Sequence, residues 1–147
     1  MMFNAIVVAV DGSEHSKRAI DIAADMGQRY DAAVHVVHIP QHTGHEKTLA
    51  LGGAAITLQP SRAELEAAGE SVVAAARGLL EAAGCKKIET EILGGDPAQQ
   101  IVAAAKRVDA DLIIMGRRGL SDFTGLVIGS TSHKVAHLAP CACLTTR

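Results

Sequence analysis

The chain has 147 residues, enough for one domain with a full core, and 48% of them are hydrophobic. Aromatic residues make up only 2%, which leaves little for the base stacking that RNA and single-strand binders use. The net charge of −2 argues against the basic surface of a duplex binder.

Residues 5–10 are a continuous apolar run, the pattern of a parallel strand covered on both faces. Asp11-Gly12-Ser13 is a turn, with Ser13 placed to cap a helix. Ala19, Ile22, Met26 and Tyr30 mark one face of that helix, which ends near Tyr30. Residues 33–39 read as a second strand, stopped by Pro40. Between 41 and 59 the periodicity dissolves, and a loop of that length in a compact domain is expected to be functional or mobile. Ser61-x-x-Glu64 is a capping box for a helix carrying Leu65, Val72 and Leu79, stopped by Gly84. Residues 88–93 alternate as an edge strand does.

Gly94-Gly95 makes a turn, and Asp96-Pro97 is a cap followed by Pro at the first helical position. Ile101, Ala104, Ala105 and Val108 give that helix its buried face. Residues 112–115 form a fourth strand, and 129–138 a fourth helix with Val135 and Leu138 inward. Cys141 and Thr145 bound a short fifth strand. Strands alternating with helices predict an α/β fold over 1–147. It is a single doubly wound, five-stranded parallel sheet, Rossmann-like, with helices on both faces. The most unusual turns follow the first and fourth strands, so the reversal of strand order, where such sheets bind ligands, is placed between them.

Cys85, Cys141 and Cys143 are odd in number and include no CxxC pair. This reads as a reduced, cytoplasmic protein. The start, Met1-Met2-Phe3-Asn4, lacks a basic signal-peptide region, and no apolar run approaches a membrane span.

The chemistry concentrates in the last third. Met115-Gly116-Arg117-Arg118-Gly119 follows a buried strand, and Gly129-Ser130-Thr131-Ser132 opens a helix. Glycines let backbone N–H groups come close, and a helix start adds unpaired donors and partial positive charge. These are the parts of an anion cradle, and a nucleotide phosphate is the anion they fit best. A Walker loop is excluded by the missing Lys, and the first turn is not G-x-G-x-x-G. Asp11 suits a ribose or a divalent cation, and equally an Asx-turn to Ser13. His35, His38, His42 and His45 lack the spacing of a zinc site and read as ordinary strand and loop histidines. No G-x-S-x-G context supports a hydrolase triad.

These residues resemble the universal stress protein family over essentially the whole chain. Its signature G-x2-G-x9-G-[S/T] is met by Gly116, Gly119, Gly129 and Ser130. The run from Val8 to Ser13 resembles its first strand and turn, and Val34-His35-Val36-Val37-His38-Ile39 its second strand. Gly129-Ser130-Thr131-Ser132-His133-Lys134-Val135, then Ala139-Pro140-Cys141, resembles its last helix and strand. The resemblance implies strand order 3-2-1-4-5 and ATP between the first and fourth strands. Ala9, Val10 and Asp11 would line the adenosine, with Asp11 near the ribose, and Ile39 and Met115 would flank the adenine. Gly116, Gly119, Gly129, Ser130 and Thr131 would cradle phosphates, joined by Arg118, with Ser132 at the ribose–phosphate region. Mg²⁺ or Mn²⁺ would be held through the phosphates near Asp11 and Ser130. A homodimer would form by edge pairing of the strand at 141–145. Ala142-Cys143 stands where the family has Pro-Val, which restores a backbone donor for such pairing.

The resulting expectation is an ATP-binding stress protein that uses the nucleotide as a signal or conformational ligand, with at most slow hydrolysis. The alternative is a regulatory, partner-binding module that binds AMP or cyclic AMP, or no nucleotide. A receiver-type phosphoacceptor is disfavoured because only Asp11 stands at the first strand end.

Overall fold

The computed structural model describes residues 2–41, 47–58, 61–117 and 130–147. Seven strands and four helices follow in the order β1 (Ala5–Ala9), α1 (Glu14–Tyr30), β2 (Ala33–His38), β3 (Lys47–Leu51), β4 (Ala54–Leu58), α2 (Arg62–Ala82), β5 (Ile88–Ile92), α3 (Pro97–Arg107), β6 (Leu112–Gly116), α4 (Ser130–Leu138) and β7 (Ala142–Thr146).

The main sheet has the order β5-β2-β1-β6-β7, and all its pairs are parallel. This is the expected 3-2-1-4-5, with β3 and β4 interpolated in the count. Strand order reverses between β1 and β6, as the turn chemistry predicts. Alternate residues of the central strands face opposite layers. Ile6, Val8, Val34, Val36, Leu112 and Ile114 pack with Ala19, Ile20, Val73 and Leu80 of α1 and α2. Val7, Val37, Ile113 and Met115 pack with Ile101, Ala105 and Val135 of α3 and α4. Each fully buried Val or Ile contributes on the order of 1.5–3 kcal/mol, so these two clusters dominate stability.

The segment between 41 and 59 departs from the expected featureless loop. β3 and β4 form a separate antiparallel hairpin in which Leu49 pairs with Ile56. Its turn is Gly52-Gly53, with φ of 57° and 85°, the positive pair that tight hairpins require. His42, Gly44 and His45 lie outside the described residues, as does Gln59.

Helix ends follow the local chemistry. Ser13 Oγ accepts from Ser16 N–H, Ser61 and Glu64 complete a capping box, and Asp96 caps Gln99 N–H with Pro97 behind it. One expected inward residue differs, and one leucine of α2 lies off its buried face. Leu138 is 52% exposed because it lies at the end of a short helix, past the sheet contact at Val135. In α2 the buried residues are Gly69, Val73, Ala76 and Leu80, while Leu79 sits one position off that face and is 40% exposed.

The amino ends of the strands are fastened by polar contacts. The Asp111 carboxylate accepts from Asn4 N–H at 2.6 Å and Ala5 N–H at 3.1 Å, which holds its carboxyl below the usual range. Lys87 Nζ donates to the Asp31 carbonyl at 2.9 Å and to its carboxylate at 3.0 Å.

Candidate functional site

The carboxyl ends of β1 and β6 lie side by side where strand order reverses, the place at which such sheets open a crevice, and the residues that follow them flank it. On the β1 wall, Ala9 is half-buried, Val10 is buried and Asp11 is half-buried. Asp11 Oδ1 accepts from Ser13 N–H at 2.8 Å, so the Asx-turn anticipated from the sequence is present. That turn leads the chain from β1 into α1. On the β6 wall, Met115 is buried and Gly116 is half-buried.

Arg117 continues β6 by one rung. Its N–H donates to the Thr146 carbonyl at 2.6 Å, and its own carbonyl accepts from Ser132 Oγ at 3.0 Å. The start of α4 is thereby joined to the end of β6. Within that start, Ser130 is exposed, Thr131 is half-buried and Ser132 is buried. Two buried polar side-chain atoms have no hydrogen-bond partner among the described residues, Arg117 Nε and His15 Nδ1.

Ile39 and Met115 meet in the same apolar cluster, on the α3–α4 side of the sheet. The structure thus brings together Ala9, Val10, Asp11, Met115, Gly116, Ser130, Thr131 and Ser132 around one switch point, with Ile39 at the adjoining end of β2. Arg118, Gly119 and Gly129 lie outside the described residues. Among the described residues no group of three His, Cys, Asp or Glu could hold a metal ion.

Sequence reasoning missed one residue of this region. His38, read as an ordinary strand histidine, is buried at the crevice end of β2, and its Nδ1 lies 2.7 Å from the Val10 carbonyl. The signal available was its position as the last residue before the Ile39-Pro40 strand stop. α2 also reaches this region. Gly69 packs against His38 and Ile92, the final residues of β2 and β5, so residues 62–68 extend past the strand ends.

A parallel, doubly wound sheet with a polar crevice and a hydroxyl-rich helix start at its switch point defines the α/β class whose ligands sit beyond the strand ends. The chain belongs to the universal stress protein family, whose model matches residues 2–147. A Thermus aquaticus relative, "Universal stress protein in QAH/OAS sulfhydrylase 3'region", is 38% identical over 99% of this chain and 100% of its own length. A solved universal stress protein in complex with cAMP superposes with a TM-score of 0.73 at 26% identity, covering 99% of this chain and 97% of its own. The fold is also that of the hypothetical protein MJ0577, with a TM-score of 0.80 at 19% identity over 99% of this chain and 96% of the other. No helix among the described residues is long and apolar enough to cross a membrane.

Proposed function

We propose that this chain binds an adenine nucleotide across the carboxyl ends of β1 and β6, with ATP as its main ligand. The nucleotide acts as a signal or conformational ligand in stress response. The observation that carries this reading is the buried Arg117 Nε, which has no partner among the described residues, on the residue whose backbone carbonyl is tied to the start of α4 by Ser132. A dehydrated guanidinium N–H is costly when unpaired, and a phosphoryl oxygen satisfies it with a charge-assisted bond. The open N–H groups of Ser130 and Thr131 add donors at the positive end of the helix. In this reading Gly116, Arg118, Gly119 and Gly129 complete the phosphate loop, as the family resemblance implies. Val10, Ile39 and Met115 offer the base an apolar wall, and Asp11 offers the ribose hydroxyls an acceptor. Mg²⁺ or Mn²⁺ would come with the phosphates, with Asp11 and Ser130 as the protein oxygens on offer.

None of the residues assigned to the site is a lysine or a general base, so hydrolysis is slow or absent. A turnover on the order of 1–100 per second, as in kinases, would overturn this part of the reading.

A second reading, in which cyclic AMP is the physiological ligand of a regulatory module, is favoured by the cAMP complex of the solved relative. Thermal denaturation with ATP, AMP and cyclic AMP, each with and without Mg²⁺, separates the two. A ligand at a hundredfold excess over its Kd stabilises the native state by about 2.7 kcal/mol. A shift with ATP supports the first reading, and a shift with cyclic AMP alone supports the second. No shift with any of them overturns both.

The reading includes a homodimer. β7 pairs with β6 on one side only, so its other edge presents a row of backbone donors and acceptors. Sedimentation as a monomer at micromolar concentration would remove that element. The cytoplasmic placement rests on the three free thiols.

A further inference from the structure

β1 and β2 stop pairing in an unusual way at the crevice. Val10 N–H donates to the Val37 carbonyl at 3.0 Å. In a parallel ladder the next rung would run from Ile39 N–H to the Val10 carbonyl. That rung is absent among the described residues. The Val10 carbonyl is instead paired with His38 Nδ1 at 2.7 Å. A carbonyl can only accept, so Nδ1 carries the proton.

The ring is closely packed. His38 is 7% exposed, and a Cβ built on Gly69 of α2 would lie 3.3 Å from its Cδ2. A side chain at 69 would therefore press on the imidazole. On the strand side, Ile39 is 7% exposed, and its N–H has no backbone acceptor among the described residues. Buried backbone donors are nearly always paired, so a ladder that ends here is unusual.

We propose that His38 is a positioning residue for the ligand. By taking the Val10 carbonyl it ends the β1–β2 ladder one rung early and fixes Val10, and through it Asp11, against β2. It also leaves the Ile39 N–H outside the β1–β2 ladder. His38 itself touches no ligand in this role. Gly69 belongs to the same device, because α2 holds the ring against Val10. The inference rests on the nucleotide-binding reading above and specifies how that site is built.

The test uses the full chain with His38→Asn, His38→Leu and Gly69→Ala. ATP affinity is measured by titration calorimetry, and hydrogen exchange at the Ile39 amide is followed without ligand. Asn offers an N–H close to where Nδ1 stands and is expected to bind within about threefold of wild type, whereas Leu removes the ring that fixes Val10 against β2 and loses about tenfold or more. Gly69→Ala, which displaces the ring from the α2 side, is expected to weaken binding while leaving every predicted ligand contact in place. Wild-type Ile39 exchanges quickly without ligand, and in His38→Leu it slows as the missing rung forms. If wild type binds and His38→Leu binds equally well, the positioning role is overturned and nucleotide binding stands. If wild type binds nothing, the nucleotide reading fails, and the exchange data decide the ladder-ending role alone. In that case slow wild-type exchange at Ile39 overturns it. Fast exchange that slows in His38→Leu supports it.

Discussion

The Ser132 hydroxyl donates to the Arg117 carbonyl at 3.0 Å, joining the first turn of α4 to the residue that ends β6. Ser132 is 3% exposed and Arg117 half-buried, so the bond is partly shielded from water. Ser132→Ala is expected to lower unfolding free energy by about 0.5–1.5 kcal/mol, the net worth of an ordinary hydrogen bond, read from urea denaturation. Nucleotide affinity falls with it, because the Ser130–Thr131 donors lose their anchor to β6. A variant with unchanged urea midpoint would show that the bond holds nothing.

Gly27 lies inside α1, where Ala is ordinarily better than Gly by roughly 0.5–1 kcal/mol. Here a Cβ would fall 2.8 Å from Val34 Cγ2 and 3.0 Å from Cys85 Sγ, both on buried residues. Overpacking costs about 1–3 kcal/mol and outweighs the helix gain. Gly27→Ala therefore lowers the thermal midpoint, and a rise in that midpoint would contradict the packing of α1 on β2.

Asp111 makes stability depend on pH. Its folded pKa is depressed by the Asn4 and Ala5 N–H groups, so its contribution is present above the unfolded value near 3.9 and is lost as pH falls through the folded one. Asp111→Asn is expected to be less stable than wild type at pH 7, with the gap closing below about pH 4. Parallel stability–pH curves for the two proteins would refute the carboxylate's role.

The three thiols should be sluggish. Burial pushes Cys85, Cys141 and Cys143 above the usual thiol range, and for Cys141 the neighbouring Cys143 and Asp111 add to it. Since the thiolate is the reacting form, iodoacetamide at neutral pH should label all three more slowly than a free cysteine, with buried Cys85 slowest. Rapid labelling at Cys141 would contradict this environment.

The main sheet was legible because β1 and β6 are uninterrupted apolar runs, β5 alternates as an edge strand does, and the first three helices carry their own caps. Ser13, Ser61 and Asp96 act as their sequence contexts predict. The hairpin escaped because its strands are only five residues long and rich in Ala and Thr, although Gly52-Gly53 between two short runs carried the signal. Leu138 misled for a related reason. Periodicity marks an apolar face but not where a helix meets its neighbour, and small Gly69 and Ala76 decide that for α2. In the site, Asp11 and the Ser130–Ser132 start could be named from residue type and order. His38 could not, because its role depends on which strand's carbonyl its ring reaches, a distance between residues 28 apart in sequence.

The fastenings made by Asp111 and by Asp31 with Lys87 all lie at the amino ends of the strands, opposite the crevice. The protein is therefore divided into two poles with separate duties. The polar contacts at the amino ends can stay in place while the residues beyond the carboxyl ends vary, apart from those, such as Ser132, that also tie a helix to the sheet.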